Sequence, residues 1–155
     1  MTKVLLTTKV GGLPPQKVLE RLNANGMRVA QGAVEVVRTT PWQPKQTLTF
    51  TKATVRDLGF EERPTLEQIN SRIKEMGHQP CQDVDGPAIR LALSDRNELH
   101  MFSLAMEPVK FQHDRLGVFT VNVTGDDCKL TLGLDYFHKT YIWKLTESVV
   151  FRLNS

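Results

Sequence analysis

From Gly86-Pro87 onward the apolar residues of this chain stop recurring every three or four positions and begin to alternate. Ile89, Leu91 and Leu93 alternate with Ala88, Arg90 and Ala92, the period-two spacing of a strand with one covered face. Before that point the spacing is helical. Leu66, Ile69, Ile73 and Met76 form one apolar stripe behind Thr65 and Gln68, a residue pair whose side chains satisfy each other's free N–H groups at a helix start, and Gly77 is the expected stop. A helix-rich stretch, 13–77, followed by a strand-rich one, 86–153, predicts an α+β fold. Its N-terminal helices would pack on one face of a mostly antiparallel sheet of about five strands.

The remaining elements follow the same logic. Leu13-Pro14-Pro15 opens a helix carrying Val18, Leu19 and Leu22, which Asn25-Gly26 ends. Residues 27–38 fit a helix better than a strand, and Pro41 to Pro44 is a loop. Residues 47–51 read as a short strand and 54–58 as one helical turn stopped by Gly59. The strand at Gly86-Pro87 is expected to return through a turn at Asp95-Arg96-Asn97 into residues 99–105. A second hairpin joins 117–123 to 128–134 through Gly125-Asp126-Asp127, with Phe119, Val121 and Val123 opposite Leu130, Leu132 and Leu134. Residues 148–153 form the last strand.

A chain of 155 residues is expected to be a single domain, 1–155, able to bury roughly 70% of its unfolded surface without a disulfide or metal. With 20 basic against 17 acidic residues the net charge is +3, and no run of five like charges occurs. That scatter argues against a dedicated nucleic-acid binder, which concentrates its cations on one face. Cys81 and Cys128 have no Cys-x-x-Cys or Cys/His spacing, so no metal site is expected. The Val4-Leu5-Leu6 run is too short for a secretion signal and no apolar stretch would span a bilayer, so reduced thiols, a cytoplasmic location and no membrane association are expected.

Gly11-Gly12 precedes a helix, but no Gly-x-Gly-x-x-Gly, Gly-Lys-Ser/Thr or Gly-x-Ser-x-Gly motif occurs, and no cofactor is expected. Cys81 and His78 are close in sequence, yet no oxyanion site is identifiable; the plainer reading is a buried thiol in a loop after a helix. Arg90 lies within an apolar run. It reads either as an anchor for an anionic ligand, with Arg72 as a second anchor, or as a structural charge paired with Glu107 or on a solvated strand face, and the latter readings are favoured. Tyr136, Phe137, Tyr141 and Trp143, interleaved with Lys139 and Lys144, form a pattern that more often marks a loop edge packed on a core; as a surface it suits a protein interface, with Trp143 as an anchor, better than base stacking.

Several segments in order resemble a family of small uncharacterised bacterial proteins. They are Leu58-Gly59-Phe60, the helix with Ile69 and Arg72, Gly77 before Cys81, Gly86-Pro87-x-x-Arg90-Leu91, Met106-Glu107-Pro108, and Trp143 before a terminal Val-Phe strand. Ile89 and the Gln82-to-Asp85 run depart from that pattern, as does the turn at Gln112 to Arg115. The resemblance implies a shared fold and a bacterial or mobile-element origin, and no reaction.

With no catalytic constellation in view, the expected function is a non-catalytic binding or interaction module whose partner is a protein or a second copy of itself. Strands 47–51 and 148–153 are the expected pairing edges. The alternatives are an enzyme or binding protein for a small anionic ligand held by Arg90, with Arg72 and Glu107 beside it, and, third, a weak nucleic-acid binder.

Overall fold

The computed structural model describes residues 3–95 and 100–154. It is an α+β fold in which, among the described residues, four α-helices pack with an eight-stranded mixed sheet. The strands are β1 (Lys3–Val10), β2 (Arg28–Val29), β3 (Gln46–Thr54), β4 (Phe102–Leu104), β5 (Val109–Phe111), β6 (Arg115–Thr124), β7 (Lys129–Tyr136) and β8 (Ser148–Arg152). The helices are α1 (Pro15–Ala24), α2 (Gln31–Thr39), α3 (Leu66–Glu75) and α4 (Asp85–Ala92).

The sheet runs β1-β3-β8-β4-β6-β7-β2, with β5 also paired to β6. The pairs β4–β8 and β2–β7 are parallel and the rest are antiparallel. The sheet is therefore larger than the about five mostly antiparallel strands expected, because β1, β2 and β5 join it beyond the strands that the spacing predicts. It also has different edges. β8 is paired on both sides, by β3 and β4, and β3 lies between β1 and β8, so neither expected edge is free; β1 and β2 end the sheet.

Elements whose signals are local form where expected. The Gln68 N–H donates to Thr65 Oγ1 at 3.3 Å and the Thr65 N–H to Gln68 Oε1 at 2.9 Å, which closes the reciprocal cap of α3. The hairpin register sets Phe119 opposite Leu134, Val121 opposite Leu132 and Val123 opposite Leu130. A 3-10 turn at Arg56–Leu58 ends at Gly59, as the spacing predicts.

The largest correction concerns residues 85–92. They form α4 and not a strand, so the first expected hairpin does not exist and Arg90 is a helical residue. Arg96 and Asn97 of its expected turn, and residue 99, lie outside the described residues. Pro87 falls in the first helical turn, where its missing N–H costs nothing, and the Ala, Leu and Arg that follow are strong helix formers. The helix hides its period because Asp85, Gly86, Pro87, Ile89 and Arg90 are covered while the face left partly open, Ala88, Leu91 and Ala92, is itself apolar. Gly86 permits this closeness, since a Cβ there would sit 2.5 Å from the Phe119 ring of β6.

One continuous apolar core joins helices and sheet, with Leu22, Phe50, Ile69, Ile89, Phe119 and Phe151 essentially inaccessible. α4 touches β1 on one side and β6 and β7 on the other, and α1 packs against both α2 and α4.

Candidate functional site

A cleft of about 420 Å³ opens where the end of β1, the helices α1 and α4, and segment 40–45 meet. This volume lies in the range of small-molecule sites, roughly 300–1,000 Å³. Two helical stripes form its walls. Pro15, Val18 and Arg21 recur at three-residue spacing on α1, and Pro87, Ala88 and Leu91 recur at helical spacing on α4. The small side chain of Ala88 leaves the space between them open.

The Gly11-Gly12 pair holds the third wall. Gly11 has φ +85° and Gly12 φ +79°, a region that suits glycine, and a Cβ on Gly11 would lie 2.7 Å from the Pro44 carbonyl oxygen. The Gly12 N–H donates to Gln43 O at 2.7 Å, so segment 40–45 is strapped to the glycines. Gln43 Nε2 donates to Gln82 Oε1 at 3.2 Å, which ties the same segment to the approach to α4. The charged residues of the lining are Lys9, Arg21 and Lys45, all cations, and among the described residues no carboxylate lines the cleft or bridges to any of the three.

Arg90 stands elsewhere. It is 0% exposed and lines neither this cleft nor the two open surface recesses beside α3. Its Nη1 donates to Asn122 O at 3.1 Å and to Thr131 O at 3.4 Å, across the β6–β7 pair, and its Nη2 donates to Leu93 O at the end of α4. Its Nε has no partner among the described residues. Burial pushes its pKa down to about 10, which leaves it charged at neutral pH. Glu107 is exposed in the recess beside Cys81 and does not pair with Arg90. Arg72 donates from Nε to Leu58 O at 2.8 Å and meets Glu75 at 3.4 Å on the surface. The three residues expected to share one anion site thus occupy three separate settings.

The C-terminal aromatics also divide. Trp143 is 6% exposed, and its main-chain N–H donates to Pro64 O at 2.7 Å. Tyr141 leans edge-on against it with 45% of its surface exposed and donates from its hydroxyl to Glu147 at 2.9 Å. Tyr136 is on β7, 59% exposed, stacked on Phe111 and covered on part of its ring by Arg115.

A buried ion pair between distant elements was not legible in the sequence. Arg152 Nε donates to Asp85 Oδ2 at 2.7 Å and its Nη2 to Oδ1 at 2.9 Å, a bidentate pair between β8 and the first residue of α4. Asp85 also accepts from the Gln82 N–H at 2.8 Å. Burial opposes the Arg152 charge, but the hydrogen bonds and charge of Asp85 outweigh it and hold the guanidinium pKa above its usual value. Cys81 lies beside this pair and donates from Sγ to Val150 O at 3.4 Å. Burial, reinforced by the Asp85 charge, raises its pKa well above the ordinary thiol value, which is the reverse of what a nucleophilic thiol needs. His78 does not serve it as a base: its Nδ1 accepts the Asn154 N–H at 3.1 Å.

Among the described residues no group of three or more His, Cys, Asp or Glu is arranged to hold a metal ion, and no helix is long and apolar enough to cross a membrane. No family model, no curated protein and no solved structure matches the chain.

Proposed function

We propose that this protein is a non-catalytic binding module that takes a small ligand into the cleft between α1, α4 and segment 40–45. The observation that carries this reading is the cleft itself: a largely apolar recess of about 420 Å³ between two helical walls, with exposed charged groups of one sign in its lining. The thiol cluster offers no competing site, since Cys81 is buried, protonated and without a histidine base. An anion held by Arg90 would have to reach a guanidinium with no exposed surface.

A fragment library screened by heteronuclear NMR tests the reading. Shift changes should cluster at Val18, Ala88 and Leu91, and the variant Ala88→Trp, which fills the cleft, should lose them. Leu91→Phe serves as a milder filling variant should Ala88→Trp perturb the fold. Hits that scatter over the surface, or that persist in both variants, would sink the proposal.

A second reading, contact with another protein, is favoured by one observation: Tyr141 and Ile142 are each 45% exposed side by side, above the buried Trp143. Recovery of a specific, nuclease-resistant partner by the tagged protein, lost with Ile142→Asp, supports it; equal recovery by the variant removes it.

A further inference from the structure

We infer that the ligand of this cleft is an anionic amphiphile with a carboxylate head and a linear apolar body. The inference rests on the binding reading above and adds the chemistry of the occupant.

Charge complementarity decides the head. Lys9, Arg21 and Lys45 all line the cleft, and among the described residues no acidic one does. Two of these cations come from one place. Lys9 faces Thr47 across the β1–β3 pair, and Lys45 immediately precedes β3, its Cβ lying 2.8 Å from where a Gly12 Cβ would stand. Arg21 arrives from α1 on the other wall. All three cations are exposed, so an anion beside them remains partly in water, where exposed lysines attract it as point charges.

The local backbone argues for a carboxylate over a phosphate. Phosphate sites draw on free N–H groups at a glycine-rich turn and a helix start. Here the Gly12 N–H is already donated to Gln43 O at 2.7 Å. The helix start is built from Pro14 and Pro15, neither of which carries an N–H. Two of the N–H groups on which such a cradle would draw are therefore missing and a third is committed, which weakens a phosphate site at this turn. A carboxylate needs only the ammonium and guanidinium donors that are present.

The walls decide the body. Val18, Val37, Pro87, Ala88 and Leu91 present an aliphatic surface with no aromatic ring among them. Such a surface suits an alkyl chain in proportion to its buried area.

Isothermal titration calorimetry with hexanoate, octanoate and decanoate, below their micelle-forming concentrations, provides the test. Decanol, decyl phosphate and the Lys9→Gln/Lys45→Gln and Ala88→Trp variants serve as controls, with each variant's fold checked by its urea midpoint. Each added methylene should tighten binding by about fourfold until the cleft is full. The double lysine variant should weaken decanoate by about five- to tenfold and leave decanol unchanged. Decanoate and decanol binding equally, both lost in Ala88→Trp, would overturn the anionic head while leaving the cleft as a binding site. Tighter binding of decyl phosphate than of decanoate would overturn the carboxylate assignment. Absence of any chain-length dependence, or binding that survives Ala88→Trp, would overturn the inference; should the fragments also fail to map to the cleft, the binding reading falls with it. The Leu91→Phe variant repeats the filling test if Ala88→Trp shifts the urea midpoint.

Discussion

Arg152, at the end of β8, is locked on a carboxylate, whereas Arg90, on α4, holds main-chain carbonyls of Asn122, Thr131 and Leu93. Both side chains are buried, and both tie the same helix to the sheet. Asp85, the first residue of α4, anchors its start to β8; Arg90, near its last turn, anchors its end to β6 and β7. The difference lies in what each loses when its partner is removed. A bidentate pair in a dry interior repels any change that leaves one charge alone. A guanidinium spread over carbonyl dipoles carries a desolvation cost that its removal returns. α4 is thus fixed at one end by a charge that must not be unpaired and at the other by one that can be replaced, and this helix forms a wall of the candidate cleft.

The largest expected effect tests the first half of the comparison. Asp85→Ala should cost about 3–5 kcal/mol, measured by urea unfolding, because it strands the Arg152 guanidinium and frees the Gln82 N–H. Arg90→Met is expected to cost less, about 1–2 kcal/mol: three hydrogen bonds to a charged group are lost, while the penalty for burying that charge disappears. A larger loss for Arg90→Met than for Asp85→Ala would break the comparison and make the carbonyl cage the main anchor of α4.

The smallest effect sharpens it through the thiol beside the ion pair. Cys128 is exposed and should react at once with a disulfide reagent; Cys81 should react only on opening of the structure, and faster in Asp85→Ala. The same thiol gives a sign to the pH dependence. Unfolded, it ionises near the ordinary 9.0; folded, burial first and then the Asp85 charge hold it protonated to higher pH. The unfolded state therefore binds fewer protons above that value, and stability must fall as pH rises through it, by at most about 1.4 kcal/mol per pH unit from this group. Comparison of wild type with Cys81→Ala isolates the slope; equal slopes would mean that Cys81 is not held neutral by its surroundings.

What could be read in advance depended on how local the signal was. The cap of α3 is written in the short Thr65-x-x-Gln68 pattern, and the β6–β7 hairpin needs only alternation around one turn, so both were legible. α4 reads as a strand because Ile89 and Leu91 alternate with Arg90 by accident, while its partly open face, Ala88, Leu91 and Ala92, is as apolar as its covered one and erases the helical stripe. Its propensities pointed the right way: Ala88, Leu91 and Ala92 with a single β-branched residue, Ile89, favour a helix. β1 carried no sharp alternation, and β2, a two-residue strand, has too few residues to show any. The spacing of Pro15, Val18 and Arg21 was visible, but not what faced it.

By itself, then, the sequence determined that helices and strands would combine in an α+β fold, and it determined those elements whose caps, turns and periods are written within a few residues. Only the tertiary structure decided the order of the strands, the helical state of 85–92, the pairing of Asp85 with Arg152 and the burial of Arg90. The cleft belongs to the same class, since its walls come from residues as far apart as Thr8 and Ala92. The reason is physical: propensity and capping act over one or two turns, whereas burial and charge pairing depend on neighbours that chain folding alone brings together.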